Sequence, residues 1–235
     1  MQEKIVGILG GMGPDSTAAF FLRVIKATPA QKDQDHLRII IDNNPKIPDR
    51  TSALLREGES PLEELKKTIR NLEGAGAELI AIPCNTVHYY YDEMQKSANV
   101  PIINMISEVE KYVRRELPNI KKIGLIATTG TIKTGVYHKA VKELEVIIPD
   151  GASQEQVMNA IYGEHGIKAG HQEKSRNYIL KVAKALVKQE SEAIIMGCTE
   201  ISLVLSQGDL PVPLIDPLQI LAETVIREAC PTLAK

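Results

Sequence analysis

The sequence predicts an α/β fold of two pseudo-symmetric, Rossmann-like domains, each with a mainly parallel four-stranded sheet, and an active site in the cleft between them. Strand-like apolar runs alternate with helix-like segments along the whole chain, which is typical of parallel α/β folds. The runs are continuously apolar, as parallel strands buried on both faces require. Three blocks of the first half also recur in the same order in the second half. A duplication explains this recurrence and gives the two domains equivalent strand ends.

The first strand is expected over residues 4–9, where an apolar run ends in the glycine-rich turn 10–14. Asp15 or Ser16 is expected to cap the helix that follows. Residues 42–60 show no periodicity, which predicts a long loop, and long loops in compact domains are more often functional than idle. The other elements of this half are expected as strands over 37–41, 79–83 and 100–103, and as helices over 17–28, 60–73, 85–98 and 106–116.

The second half repeats this order, beginning with a strand from residue 121 that ends at the threonine-rich run 128–131. The other elements are expected as strands near 146–148, 193–196 and 212–215, and as helices after 131 and over 154–162, 172–189 and 217–229. The domains are predicted as residues 1–104 with 217–235, whose helix closes the first half, and residues 105–216.

Composition excludes several classes of protein. The chain has 235 residues, 43% hydrophobic and 25% charged, as in ordinary globular proteins. Its net charge of −2 argues against a nucleic-acid or acidic-membrane partner. No apolar run is long enough to span a bilayer, and no secretory signal is present, which favours a cytoplasmic location. Three cysteines without a CxxC pair or a Cys/His cluster predict neither a disulfide framework nor a metal site.

Two cysteines are the strongest candidates for chemistry. Cys84 and Cys198 each follow an apolar run and precede a helix-like segment. A helix N-terminus at that place favours the thiolate, and Asn85, Thr86 or Thr199 can cap the helix and donate to a bound carboxylate. A single such cysteine is more often a small buried hydrophobe. Two at equivalent positions of a repeat favour a function.

A pair of opposed thiols suits general acid–base catalysis. A thiolate removes a proton from one face of a carbon, and a thiol donates a proton to the other face. Two equivalent partners imply that either enantiomer is a substrate. Cys230 has no comparable context and is interpreted as structural or incidental.

Five blocks of the sequence, spread in order over nearly the whole chain, resemble the aspartate/glutamate racemases that work without pyridoxal phosphate. The blocks are residues 7–14, 43–51, 83–88, 127–131 and 197–200. The glutamate branch usually has Asp-Ser-Gly in the first loop and a histidine after the second Cys-Thr. This chain has Gly10-Gly11-Met12 and Glu200 there, so it is more similar to the aspartate branch.

The resemblance implies a function and a set of site residues. It implies cofactor-independent interconversion of L- and D-aspartate by two-base 1,1-proton transfer in a homodimer, and it leaves the choice between aspartate, glutamate and a broader substrate range open. Cys84 and Cys198 would be the two catalytic thiols. Arg50 and Lys168 would bind the side-chain carboxylate of a small acidic amino acid, although each alone is expected on the solvated surface. The residues implied to line the pocket are Met12, Asn85, Thr86, Thr128 and Thr199.

Other interpretations stay open. His88 follows Cys84 by four residues, but its tyrosine-rich surroundings favour packing over catalysis. Glu200 is equally well explained as tuning Cys198 or as favouring a helix N-terminus. The alternatives to racemisation are isomerisation or decarboxylation of a related diacid, and a non-catalytic amino-acid-binding protein.

Overall fold

The structure, a computed structural model, describes residues 3–232 and divides into two compact units. One contains the residues up to Glu108 together with those from Leu218 onward, and the other is Val109–Pro217. Each unit is built on a parallel sheet with helices, which confirms the predicted α/β class. The boundaries predicted from the sequence, at 104/105 and 216/217, stay a prediction about domain organisation.

The sheet of the first unit has three strands. β1 (Val6–Gly10) lies between β2 (Ile39–Asn43) and β3 (Leu79–Ala81), and all are parallel. The expected fourth strand at 100–103 forms a single bridge between Ile102 and Ile80, because Pro101 has no N–H to extend the ladder. The helices are α1 (Pro14–Ala27), α2 (Arg50–Leu54), α3 (Leu62–Gly74), α4 (Tyr91–Ser97) and α5 (Met105–Glu116), the last of which crosses into the second unit.

The sheet of the second unit has the expected four parallel strands in the order β5-β4-β6-β7. The strands are β4 (Lys122–Ala127), β5 (Glu145–Ile147), β6 (Ala193–Gly197) and β7 (Leu214–Ile215). The helices are α6 (Thr129–Thr134), α7 (Val136–Ala140), α8 (Gly151–Tyr162), α9 (Gln172–Lys188) and, at the return to the first unit, α10 (Pro217–Ala229).

The two units repeat the same internal packing. The main-chain amide of Ile5 at the start of β1 donates to the Glu78 carboxylate, and the amide of Lys122 at the start of β4 donates to the Glu192 carboxylate. Glu78 and Glu192 both precede a cysteine by six residues. A shared anchor at a shared distance makes the end of β3 and the end of β6 structurally equivalent.

The C-terminal helix belongs to the core of the first unit. Leu218, Leu221 and Val225 of α10 are buried in one cluster with Val6 and Ile8 of β1. Burial of these side chains, at about 1.5–3 kcal/mol each, holds the end of the chain against its beginning. Among residues 3–232, no helix combines the length and the apolar composition needed to cross a membrane.

Two local expectations were wrong. Helix α1 begins at Pro14 with Gly13 at the N-cap and no side-chain cap, so neither Asp15 nor Ser16 caps it. Proline suits the first helical position because its ring fixes φ and its missing N–H has no partner there. The expected loop after β2 contains the short helix α2, which Asp49 caps by accepting from the amide of Ser52 at 2.8 Å.

Candidate active site

Cys84 lies just beyond the carboxyl end of β3 and is 5% exposed. Its amide donates to the carbonyl oxygen of Ile82 at 2.8 Å, which turns the chain sharply out of the strand. Its side chain belongs to a buried cluster that includes Met12 and Ile47. The carboxyl end of β3 and the loops after β1 and β2 therefore meet at this cysteine.

His88 holds the main chain of Cys84 in place. The amide of Met105, the first residue of α5, donates to Nε2 of His88 at 3.1 Å, so this nitrogen carries no hydrogen. In the neutral ring the hydrogen is then on Nδ1, which donates to the carbonyl oxygen of Cys84 at 2.8 Å. Burial lowers the pKa of His88, although its backbone hydrogen bonds act in the opposite direction. This structural role agrees with the expectation of packing over catalysis and adds the two main-chain hydrogen bonds, which no sequence pattern indicated.

The glycine-rich turn after β1 presents Met12, which is 3% exposed. Thr17 holds the turn: its hydroxyl accepts from the amide of Gly11 at 3.0 Å and donates to the carbonyl of Gly13 at 2.9 Å. Gly11 has φ 93° and lies against the backbone of Asn44, where a Cβ atom would collide. Only glycine satisfies both conditions, so this turn brings the backbone close to the loop after β2.

Arg50 is the first residue of α2 and is buried, in contrast to a solvated surface charge. Its Nη1 donates to the carbonyl oxygens of Pro48 at 3.0 Å and Ile47 at 3.3 Å. These bonds fold the guanidinium back onto its own loop. Helix α2 also packs against the 3₁₀ helix Thr86–Tyr90 that follows Cys84. The first unit thus brings Arg50 and Cys84 to neighbouring elements at one edge of its sheet.

A 3₁₀ turn follows each cysteine, Thr86–Tyr90 after Cys84 and Ile201–Leu203 after Cys198. The first turn leads directly into α4 (Tyr91–Ser97), so a helix is present over most of the expected range 85–98. Asn85 occupies the N-cap position without a side-chain cap hydrogen bond, and both Asn85 and Thr86 are buried. After Cys198 the turn has only three residues, and so few aligned peptide dipoles do not stabilise a thiolate strongly. The predicted helix-terminus effect therefore does not apply to Cys198.

Cys198 follows β6 and has a charged environment of its own. Its Sγ donates to Oε2 of Glu200 at 3.0 Å, and Nζ of Lys168 lies 2.5 Å from Oε1 of the same carboxylate. The Thr199 hydroxyl donates to Oε2 at 3.3 Å. Lys168 also lies over the ring of Tyr162, 5.4 Å from its centroid. Lys168, Glu200 and Cys198 form one connected chain of polar contacts. Of the two sequence interpretations of Glu200, this contact favours an effect on Cys198.

This environment opposes ionisation of the thiol. Burial raises the pKa of Cys198 well above its ordinary value, and the charge of Glu200 raises it further, while the charge of Lys168 acts the other way. Burial also favours a higher pKa for Glu200, but Lys168 and the hydrogen bond from Cys198 outweigh it and hold that pKa below its ordinary value. The sequence-based expectation of a favoured thiolate was wrong for Cys198.

Thr128 lies at the end of β4, where its hydroxyl caps α6 by accepting from the amide of Thr131 at 3.2 Å. Tyr137 is fully buried, and burial, followed by the charges of Asp216 and Cys198, raises its pKa well above the ordinary value. Asp216 accepts from the hydroxyl of Ser202 at 2.7 Å. Tyr137 had no motif to identify it, because only the packing of the unit brings it near Cys198.

The predicted residues gather at the carboxyl edge of each sheet. In the first unit these are Met12, Arg50, Cys84, Asn85 and Thr86, and in the second Thr128, Lys168, Cys198 and Thr199. The carboxyl edge of an open parallel sheet is where such folds bind ligands. Within the described residues, no group of three or more His, Cys, Asp or Glu side chains is arranged to hold a metal ion.

Comparison with known proteins gives consistent matches over nearly the full length. A family model described as Asp/Glu/Hydantoin racemase matches residues 9–225. The broad specificity amino-acid racemase RacX of Bacillus subtilis (strain 168) is 30% identical over 233 residues, 94% of this chain and 96% of that protein.

Two solved structures extend this agreement to the fold. The aspartate racemase of Picrophilus torridus superposes with a TM-score of 0.85 at 31% identity, covering 96% of this chain and 94% of that one. An aspartate racemase homologue from Pyrococcus horikoshii OT3 superposes with a TM-score of 0.75 at 28% identity, covering 96% and 99%.

Proposed function

Because this chain belongs to the Asp/Glu/Hydantoin racemase family, we propose that it interconverts L- and D-aspartate without a cofactor, using Cys84 and Cys198 as the two proton-transfer groups. The observation that carries this proposal is the position of the two cysteines. Each is buried just beyond the carboxyl end of an equivalent strand in two units that repeat the same packing.

In the proposed reaction one sulfur gains a proton and the other sulfur loses one. One cysteine, as thiolate, takes the proton from the α-carbon, and the C–H bond breaks as an S–H bond forms. The other cysteine, as thiol, delivers its proton to the opposite face of the same carbon. The two thiols have then exchanged protonation states, and the product is the mirror image of the substrate. General acid and base groups of this kind each contribute about 10²- to 10⁴-fold in rate.

An acidic substrate is supported by the two cations of the predicted site. Arg50 offers a planar fork that matches a carboxylate, and its hydrogen bonds to its own loop fix its orientation. Lys168 provides a second cation beside Glu200 and Cys198. Met12, Asn85, Thr86, Thr128 and Thr199 are proposed to line the pocket, where their amide and hydroxyl groups hold the substrate's α-carboxylate and amino group.

A broader amino-acid range is the second candidate, and the similarity to a broad specificity racemase favours it. Side chains that differ by one methylene are separated by only about 1–3 kcal/mol in a binding pocket. Aspartate, glutamate and uncharged amino acids therefore belong in the same assay. A homodimer and a cytoplasmic location also stay proposals, and sedimentation velocity tests the first.

The proposal is tested by incubating the protein with each enantiomer of aspartate in deuterated water. Exchange of the α-hydrogen is followed by proton NMR, and inversion by optical rotation. We expect both enantiomers to exchange and to reach a racemic mixture without added cofactor. Exchange with neither aspartate nor any other amino acid would overturn the racemase proposal and leave a non-catalytic binding protein. Loss of carboxylate, or isomerisation of a diacid, would identify the related chemistry instead.

A further inference from the structure

We propose that Glu200, held by Lys168, keeps a proton on Cys198, so that Cys198 is the proton donor of the resting protein. The role of Cys198 as a proton donor rests on the racemase function proposed above. The protonation state itself is a property of one thiol and is measurable without turnover. Glu200 is therefore assigned as a positioning residue for Cys198.

The geometry requires a proton between the two side chains. An ionised carboxylate only accepts hydrogen bonds, so the 3.0 Å contact between Sγ of Cys198 and Oε2 of Glu200 needs a hydrogen on sulfur. The other carboxylate oxygen is occupied by the ammonium of Lys168 at 2.5 Å. Thr199 adds a further donor to Oε2. Three donors converge on Glu200, which is the arrangement that stabilises a carboxylate and not a carboxylic acid.

Electrostatics favour the same proton position. A Cys198 thiolate would place a second negative charge about 3 Å from the Glu200 carboxylate. The site is poorly hydrated, because the Glu200 side chain is 4% exposed and that of Lys168 23% exposed. The ammonium of Lys168 compensates the charge of the Glu200 carboxylate, so a second negative charge on Cys198 would have no such compensation. The raised pKa of Cys198 and the lowered pKa of Glu200 agree with a neutral thiol beside an ion pair.

The other ionisable groups around the thiol do not reverse this balance. Tyr137 on α7 has a pKa raised well above its ordinary value by burial and by nearby charge, so it stays neutral. The negative charge of Asp216, which follows β7, is one of the causes of the raised pKa of Tyr137. In the part of the chain that the structure describes, the positive charge that contacts Glu200 is the ammonium of Lys168.

The arrangement also supplies a route for the proton when Cys198 must act as a base. The S–H bond breaks, an O–H bond forms on Oε2 of Glu200, and the negative charge moves from oxygen to sulfur. No other reactant is needed. The contact that His88 makes in the first unit is with the carbonyl oxygen of Cys84, not with its sulfur. The two cysteines, equivalent in the repeat, therefore begin the reaction unequal.

The test is a pH titration of Cys198 in a protein with one cysteine. The double variant Cys84→Ser and Cys230→Ser leaves only Cys198 of the three cysteines in the chain. Thiolate formation is followed by ultraviolet absorbance near 240 nm, with the variant that also carries Cys198→Ser as the baseline. This readout needs no substrate and no reagent access to a buried sulfur.

We expect the parent to titrate above a free cysteine, whose pKa is about 8.5. Adding Glu200→Gln should increase the thiolate fraction in the transition region at least about tenfold, because the facing negative charge is removed. Adding Glu173→Gln, an exposed residue of α9, should leave the titration unchanged. A parent midpoint at or below that of free cysteine, or a titration unaffected by Glu200→Gln, would overturn the inference.

A second variant protects the test against misfolding, because Glu200→Gln leaves the cation of Lys168 without its carboxylate. Lys168→Met combined with Glu200→Gln removes both charges together, which proteins often tolerate. Its midpoint should lie below that of the parent and above that of Glu200→Gln alone, and an unchanged midpoint counts against the inference.

Racemisation is measured separately with all three cysteines present. A shifted titration in an inactive protein would reject the proposed function alone, and an active protein with an unshifted titration would reject this inference alone.

Discussion

His88 fixes the main chain of Cys84, with its Nδ1 2.8 Å from the cysteine's carbonyl oxygen and its Nε2 accepting from the amide of Met105. The ring joins the end of β3 to the start of α5, two segments that the sequence separates by 17 residues. At the equivalent place in the second unit, the polar contact is made to the sulfur of Cys198 by Glu200. A duplicated fold thus supports its two cysteines by different means.

His88→Phe should destabilise the protein by about 2–4 kcal/mol, because it keeps a ring of similar size but leaves a buried carbonyl and a buried amide without partners. The midpoint of urea unfolding measures this loss. His171→Phe is the control, since His171 is exposed. Equal midpoints for the two variants would contradict the structural role of His88.

Acidification should weaken the protein through the same histidine. Burial lowers the pKa of His88 in the folded state, so the unfolded chain binds the proton first as the pH falls. The stabilisation is complete above the unfolded-state pKa of about 6.5 and is lost progressively below it. Urea midpoints of the parent and His88→Phe should therefore converge between about pH 8 and pH 5. A constant difference over that range would show that His88 does not titrate as described.

Gly11→Ala should perturb the turn that presents Met12 more than Gly135→Ala perturbs α6. Both glycines have positive φ, 93° and 65°, so both substitutions carry a similar backbone cost of about 1–2 kcal/mol. A Cβ at Gly11 meets the backbone of Asn44, whereas a Cβ at Gly135 meets open space. Thermal unfolding and the KM for aspartate report the difference. Equal effects in the two variants would mean that the close approach to Asn44 is unimportant.

Cys84→Ala and Cys198→Ala should each reduce racemisation by at least about 10²- to 10⁴-fold, because each removes one of the two proposed proton-transfer groups. Cys230→Ala is the matched control, since Cys230 follows α10 and packs against the buried cluster of the first unit that includes Val6 and Leu218. Activity is measured from both enantiomers by optical rotation. Full activity in either active-site variant would reject the two-thiol mechanism.

Arg50→Ala should raise the KM for aspartate about 10- to 100-fold, since a charged hydrogen bond to a carboxylate contributes about 1.5–3 kcal/mol. Arg70→Ala on α3 removes an exposed arginine and should leave KM unchanged. Circular dichroism verifies that the loop variant is folded, because Arg50 also binds its own backbone. An unchanged KM in folded Arg50→Ala would remove this residue from the substrate site.

The order of elements was accessible from the sequence because apolar runs and helical periodicity are local properties. Parallel strands predicted at 79–83 and 193–196 are observed as Leu79–Ala81 and Ala193–Gly197. The expected fourth strand of the first sheet is reduced to a single bridge beside Pro101. The helix expected over 85–98 begins with a 3₁₀ turn before α4, a local difference that carries no periodic pattern of its own. Helix α2 was not expected from the sequence, because its five residues are too few to show a helical period.

The sequence by itself determined the α/β class, the repeat, and the two cysteines at matching strand ends, because these depend on periodicity and on spacing along the chain. Only the tertiary structure decided the surroundings of each thiol. Lys168 and Glu200 are separated by 32 residues, and Met105 and His88 by 17, so no local pattern joins them. The protonation of Cys198 follows from that packing, since burial and the facing carboxylate, not the residue type, set the pKa of its thiol.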